Sequence, residues 1–403
     1  MRTPVVAFCL SLLLAGVAPA ADSLNVRLIG RWDSLPDYMS FGVAAQGSYA
    51  YVADNGGGLR VISVADPAHP TEVGHCDIPG AHADGVAVVG DLVYVTDGDS
   101  GLLVISVTDP AHPSRVGRCA TPAYAREVVV VGDHAFVAHD SGLSVVSVTD
   151  PAHPSEVGRY DTRYGAFGVA VAGDYAYVTN SEGLWVVSIS DPTQPTWVGR
   201  YIKSCAGVAV QDNYAYVAAG IAGLRVVSVT DPANPVEVGC LVDSNNSAIR
   251  LTVSGGYVYV VRGIGPSADG LRVISVADPA NPVVVGYHYL GRSCVALSGN
   301  YVCLCNSYSF VILQFYGGGV EEMPSVEVRT PSVGPTVVHG VLNLAVDSRQ
   351  NAAYRAELLD VSGRRVMELH GGANDVSDLA PGVYFIHEVQ SQALAVARVI
   401  VAR

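Results

Sequence analysis

Six serines, Ser63, Ser106, Ser147, Ser188, Ser228 and Ser275, occupy one position of a repeated segment and are the first candidate nucleophiles in this chain. A serine attacks only when an adjacent base takes its proton. No His or Lys holds a complementary repeat position, so these hydroxyls read as strand residues that bond locally. His69, His112 and His153 share a second repeat position, filled elsewhere by Gln194, Asn234 and Asn281. Equivalent positions of a closed array lie on a circle, and cannot converge on a metal at about 2 Å. A turn-stabilising role is expected for them. Asp54 and Asp97 are the aligned acidic pair that glycan hydrolysis would require, since that reaction needs two carboxylates facing one bond. Asp97-Gly98-Asp99-Ser100 is rich in oxygen but lacks the ligand series of an EF-hand loop. His-Glu-x-x-His, Gly-x-Ser-x-Gly and Gly-Lys-Ser/Thr strings are all missing. The expectation is a protein with no catalytic residues, no bound metal and no cofactor.

The scaffold behind these positions is periodic. Ser/Thr/Ala-Asp-Pro recurs six times, with its Asp at 66, 109, 150, 191, 231 and 278, in steps of 43, 41, 41, 40 and 47 residues. A period of about 40–50 residues marks a propeller or a solenoid. Each copy holds four short β segments, in the second copy Val86–Val89, Leu92–Thr96, Leu102–Val107 and Arg115–Cys119. Gly90-Asp91 and its equivalents, among them Gly47-Ser48, Gly132-Asp133 and Gly173-Asp174, are two-residue hairpin signals. The Asp-Pro turn ends the third segment because Pro cannot donate to a ladder, and Asp accepts from amides further along. Segments such as Leu-Leu-Val-Ile-Ser-Val are apolar on both faces, as a blade stacked between two neighbours demands.

Gly-Leu-Arg-Val-Val-Ser-Val-Thr-Asp-Pro at 223–232, following Asn213-Tyr214-Ala215-Tyr216-Val217-Ala218, resembles the LVIVD repeat of bacterial exported β-propellers, over residues 24 to 316. Ser63 and its five equivalents stand where that repeat usually has Asp. The resemblance implies a fold and no particular reaction. Six copies run from residue 41 to 288, and a seventh, Cys294–Phe315, stops without its Asp-Pro turn or fourth strand. Val26–Trp32 matches the missing strand in sequence. The expected fold is therefore all-β: a seven-bladed β-propeller over residues 21–318, closed by an N-terminal strand, with a small C-terminal β-sandwich over 319–403.

Binding residues concentrate on the variable loops of a repeated scaffold. Here those are the loops between second and third strands and the loops that lead into each first strand. The former place Asp54, Asp97, His139, Asn180, Ala219, Arg262 and Asn306 at one aligned position. The latter add Tyr38, His82, Tyr124, Arg126, Tyr164, Lys203, Asn245, Arg250 and Arg292. Such a face suits an unknown peptide, protein or glycan, and binding there without catalysis is the expected activity. A glycan-active hydrolase or lyase in the central funnel is the alternative.

A formal charge of −14 and only 15% charged residues exclude a nucleic-acid partner, which requires a basic face. Residues 1–20 have the three parts of a secretory signal: Arg2, an apolar run from Val5 to Val17, and Ala18-Pro19-Ala20. No later stretch is apolar for long enough to span a membrane as a helix. A secreted or outer-surface location and a monomeric state are expected. Seven cysteines follow the leader, an odd number that describes no disulfide framework. A two-residue turn at Gly299-Asn300 would set Cys294 opposite Cys305, so a cross-strand bridge between them is weighed against unreacted core thiols.

After Gly317-Gly318-Gly319 the vocabulary changes. Leu358–Val366 and then Leu379-Ala380-Pro381-Gly382-Val383-Tyr384-Phe385-Ile386 resemble the C-terminal sorting domain of type IX secretion cargo. That resemblance implies the type IX export machinery as a partner through residues 320–403, and passage across an outer membrane.

Overall fold

The structure, a computed structural model, describes residues 23–33, 40–78, 82–242, 248–262, 270–289, 294–305 and 309–316. In the tail it describes Leu379 and the strands at 336–338, 341–344, 355–359, 365–370, 372–375, 382–388 and 396–401. No helix occurs among the described residues. The contacts divide the chain into two units, residues 1–321 and 322–403.

The first unit holds seven antiparallel sheets, six of four strands and one of five; in six of them four consecutive strands form a meander, and in the seventh the outer strand is Val26–Trp32. Blade 1 begins with Ser40–Gln46 and blade 2 with Ala83–Val89. The first strands of blades 3 to 7 are Ala125–Val131, Gly168–Ala172, Gly207–Gln211, Ala248–Ser254 and Cys294–Ser298. Each first strand packs beside the next, and that of blade 7 packs beside that of blade 1. The chain is therefore a seven-bladed β-propeller, and seven first strands face its axis.

Two-sided apolarity in the strands has a direct structural meaning. In Gly101–Ser106 of blade 2, Leu103 and Ile105 pack with Tyr51 and Leu59 of blade 1. Leu102 and Val104 of the same strand pack the other way, with Val128 and Val137 of blade 3. All four side chains are fully buried. Complete burial stabilises by roughly 1.5–3 kcal/mol per aliphatic side chain, so the core is a series of layers between blades.

The turns follow the chemistry of their residues. The first residue of each two-residue hairpin has positive φ: Gly47, Gly90, Gly132, Gly173, Gly255 and Gly299, with Asp212 in blade 5. Each Asp of the Asp-Pro turns accepts from the amide two residues on, as Asp109 Oδ1 does from Ala111 N at 3.1 Å. His69, His112 and His153 meet the other oxygen of their own turn's Asp through Nδ1 at 2.8–2.9 Å. Asn234 and Asn281 donate to the equivalent oxygen through Nδ2, while in blade 4 Thr193 takes over and donates to Asp191. These hydrogen bonds hold the six turn carboxyls below their ordinary range. The repeated serines also bond locally, Ser106 to Thr108 and Ser147 to Thr149.

One feature of the fourth strand recurs in every blade. Pairing with the third strand slips by one residue, in blade 3 between Val145 and Val146 opposite Gly158 and Glu156. The bulge leaves a glycine after it: Gly74, Gly117, Gly158, Gly199 and Gly239 in blades 1 to 5. Each of these glycines receives the Asp-Pro turn of the following blade, Gly158 that of Pro192 and Gly199 that of Pro232. A Cβ at any of them would overlap the proline carbonyl oxygen, far inside the 3.0 Å that real Cβ atoms respect.

Val26–Trp32 pairs antiparallel with Phe310–Phe315 and shows the same slip, between Leu28 and Gly30. Gly30 meets the Pro67 turn of blade 1. Ahead of it Ser23–Leu24 pairs with Val283–His288, the fourth strand of blade 6. Blade 7 has no Asp-Pro turn to offer Gly286 of blade 6, and Leu24, Val26 and Phe315 pack there instead.

In blade 7 the hairpin at Gly299-Asn300 pairs Cys294 with Cys305, Ala296 with Cys303 and Ser298 with Tyr301, the register its sequence implies. The Cys294 and Cys305 Cα atoms are 5.5 Å apart and their sulfurs are joined. Cys303 is a buried free thiol, as are Cys119 and Cys205, while Cys76 is half-buried and Cys240 exposed. In the second unit the described strands form a five-stranded sheet, into which Thr336–Val338 enters parallel to Val396–Val401. Val341–Leu344 and Gly372–Asp375 make a separate pair. Ser362-Gly363 and Pro381 lie outside the described residues.

The bulge glycines give a sharp expectation. Gly158→Ala should destabilise the propeller by about 3 kcal/mol, because overpacking against backbone has no cheap relief. Gly132→Ala, at a hairpin with open space around it, should cost only about 1 kcal/mol for its positive φ. Urea unfolding of both variants measures the difference.

Candidate functional site

The first strands begin at a common height, and that height builds the site. At the start of the first strands of blades 1 to 6 the aligned pairs are Phe41-Gly42, Asp84-Gly85, Arg126-Glu127, Phe167-Gly168, Ala206-Gly207 and Ile249-Arg250. Glycine at the second position lets neighbouring strands approach closely, and a Cβ on Gly42 would collide with Asp84 O. Blades 3 and 6 carry side chains there instead. Arg250 Nη1 donates to Glu127 Oε2 at 2.6 Å, an ion pair between blades far apart in sequence. Above this bar, Phe41, Asp84, Arg126, Phe167 and Ile249 line a cavity of about 470 Å³. Below it a second cavity of about 430 Å³ runs between the valines of the first strands.

Backbone bonds between blades hold the upper cavity's wall. Ala125 N donates to Gly98 O at 2.9 Å, which seats the start of blade 3 against the second-to-third loop of blade 2. Asp140 N donates to Tyr124 O at 3.1 Å. Arg126 then closes a fork on Asp140, Nε to Oδ1 at 2.5 Å and Nη2 to Oδ2 at 3.2 Å. Its guanidinium lies 5.2 Å from the Tyr124 ring centroid and 5.8 Å from that of Phe167. A planar cation both forked and stacked is well fixed.

Asp84 is the most perturbed acid of this wall. It is 9% exposed, and the Tyr124 phenol stands beside it. Burial pushes its carboxyl up to about 6, Glu127 adds to the rise, and Arg250, Tyr124 and Arg126 oppose it. Burial, with Asp84 beside it, likewise pushes the Tyr124 phenol up to about 12.

The loop residues expected to face a ligand are dispersed by the structure. Tyr124 and Arg126 line the cavity, and the His82 ring stands 6.1 Å from Tyr124. Asp54 and Asp97 do not form a facing pair. Asp54 is completely buried and accepts from Arg60 Nε at 3.1 Å, whereas Asp97 Oδ1 accepts from His82 N at 2.6 Å. Both sit at strand ends whose side chains turn between blades, so they stabilise loops. His139 is also completely buried. Lys203 donates to Glu237 at 2.7 Å on the rim, and Tyr164 is exposed under Arg163. Tyr38, Asn245, Arg292 and Asn306 lie outside the described residues, as does the side chain of Arg262.

Asp84, Glu127, Asp140 and Phe167 were missed by the loop comparison. A signal existed one step into the strand: Glu127 and Arg250 break an otherwise small-residue position with opposite charges.

A serine, a histidine and a glutamate do meet, but in an order useless for attack. Ser141 N donates to His139 Nδ1 at 3.2 Å, so Nε2 carries the proton and donates to Ser144 Oγ at 2.9 Å. Ser144 then donates to Glu156 at 3.1 Å. The histidine has no lone pair left to take the serine proton. Among the described residues no three His, Cys, Asp or Glu side chains group as a metal site. No helix among the described residues is long and apolar enough to cross a membrane.

The family described as LVIVD repeat matches residues 39–78, 80–121, 122–162, 165–203, 204–243 and 246–288, more than half of the chain. No curated protein matches it. Among solved structures, the WD40 β-propeller domain of Doa1 is similar at a TM-score of 0.59 and 10% identity, covering 72% of this chain and 97% of that one. A chain of the mitotic checkpoint complex is similar at 0.59 and 15% identity, covering 79% and 100%. The computationally designed Ika8 protein follows at 0.51 and 9%, covering 72% and 99%. At these identities the likeness is one of fold.

Burial lowers the His139 imidazole from its ordinary value to about 4. The unfolded chain thus binds its proton first as pH falls through 6.5, and stability is lost between there and about 4. The loss is on the order of 3 kcal/mol. Asp84 contributes with opposite sign, favouring the fold as pH falls below 6. His139→Gln should remove the acid-side loss, whatever its effect at pH 8, and urea unfolding across pH 8 to 4 measures it.

Proposed function

The chain belongs to the LVIVD-repeat family, and from that premise we propose that it is a non-catalytic binding module whose ligand enters the mouth above the Glu127–Arg250 bar. The observation that supports this most is how fully the mouth is prearranged. Arg126 is forked on Asp140 and stacked on the Tyr124 and Phe167 rings, and Arg250 spans to Glu127. Fixed polar groups beside exposed apolar rings are what a recognition site needs, because little ordering is left to do on binding. A peptide, protein or glycan is the ligand. A glycan hydrolase or lyase in the same mouth would need a second free carboxylate beside Asp84, and Glu127 is already engaged by Arg250.

The N-terminal strand is, in this reading, the clasp of the ring, supported by its pairing with Phe310–Phe315. The module works outside the cell. Support comes from the secretory pattern of residues 1–20 and from the Leu-Ala-Pro-Gly-Val-Tyr-Phe string of the tail, which we read as the sorting signal.

Two experiments test these readings. A glycan and peptide array should yield a captured ligand whose retention falls at least tenfold in Tyr124→Ala and Arg126→Ala, with no product formed; turnover would favour the enzyme. Chain lacking residues 320–403 should remain inside the cell envelope, and its appearance at the surface would exclude the sorting role.

A further inference from the structure

Among the described residues, the charges of the mouth do not balance. Asp84, Glu127 and Asp140 carry three negative charges, and Arg126 and Arg250 carry two positive ones. Each guanidinium is committed, Arg126 to both oxygens of Asp140 and Arg250 to Glu127. Asp84 is left with a neutral phenol beside it, and among the described residues no Lys, Arg or His forms an ion pair with it. A carboxylate so buried is expensive unless paired. It also lines the cavity rather than the core.

The surroundings of Asp84 describe the missing partner. Phe41, Phe167 and Ile249 line the same cavity at the same height, and the latter two are more than a third exposed. An alkyl stem suits those walls, and a compact cation at its end suits a single carboxylate. Deepening the binding reading above, on which it rests, we propose that the mouth receives a lysine side chain of a peptide ligand, with Asp84 as its counter-ion. A bound ammonium neutralises the site and converts the costliest group of the mouth into a paired one. Among the described residues, the titratable and charged groups acting on Asp84 are Tyr124, Arg126 and Glu127 from blade 3 and Arg250 from blade 6. None of them supplies an uncommitted cation.

The test uses the full chain and three probes titrated by NMR: acetyl-Gly-Lys-Gly-amide, the same peptide with acetyl-lysine, and the same with norleucine. At pH 7.5 the lysine peptide should bind at least tenfold more tightly than the other two, and Asp84→Asn should abolish that preference. Comparison of the three probes on unaltered protein does not depend on the variant folding. Equal affinities, an intact preference in Asp84→Asn, or no binding of the lysine peptide would each overturn the proposal. If array ligands still depend on Tyr124 and Arg126, the binding module survives that failure. If no array ligand does, the broader reading falls with it.

Discussion

A missing Cβ holds this molecule together. In every blade but the sixth, the glycine after the outer bulge lets the following blade's Asp-Pro turn settle its proline carbonyl on bare backbone. Any side chain there would push neighbouring blades apart, and a small wedge at the rim becomes an open ring after seven steps. The Asp and its His, Asn or Thr partner stiffen the turn that is inserted. Strand bulge, glycine and turn are therefore one device, and the layers of Val, Leu and Ile between blades close-pack because that device sets their spacing.

Gly286 of blade 6 shows how the device is adapted where the repeat stops. Blade 7 brings no Asp-Pro turn, and the leading strand Ser23–Leu24 lies along Val283–His288 in its place. The chain then bends through Asn25, at a φ of 52°, into Val26–Trp32. Asn is among the few residues that tolerate this region. Its side chain also donates to Val285 O at 2.8 Å, tying the bend to blade 6.

Much of this was legible in the residues. The Asp-Pro period counts six of the seven blades, the two-residue hairpins place the first two strands, and two-sided apolarity announces stacking. The Cys294–Cys305 register follows from Gly299-Asn300 alone. The mouth was less legible for a physical reason. Loop variability points to exposed positions, but second-strand ends such as Asp54, Asp97 and His139 turn inward between blades, where spacing cannot distinguish a loop from a core. The residues that meet lie at the start of the first strands, at a height defined only once seven copies surround an axis. Asp84, Arg126 and Phe167 are unremarkable in their own repeats and become one wall by closure. The uneven pairing of that wall's charges appears only when the forks of Arg126 and Arg250 are seen.

Three tryptophans offer the most direct test that the blades are locked into one body. Trp32 belongs to the strand paired in blade 7, and Trp185 and Trp197 belong to blade 4. Urea unfolding should be followed by Trp32 alone in a Trp185→Phe/Trp197→Phe chain, and by blade 4 alone in Trp32→Phe. Both should report one cooperative transition at a common midpoint, after correction for the stability change of each variant. A Trp32 signal lost well before that of blade 4 would contradict an interlocked ring.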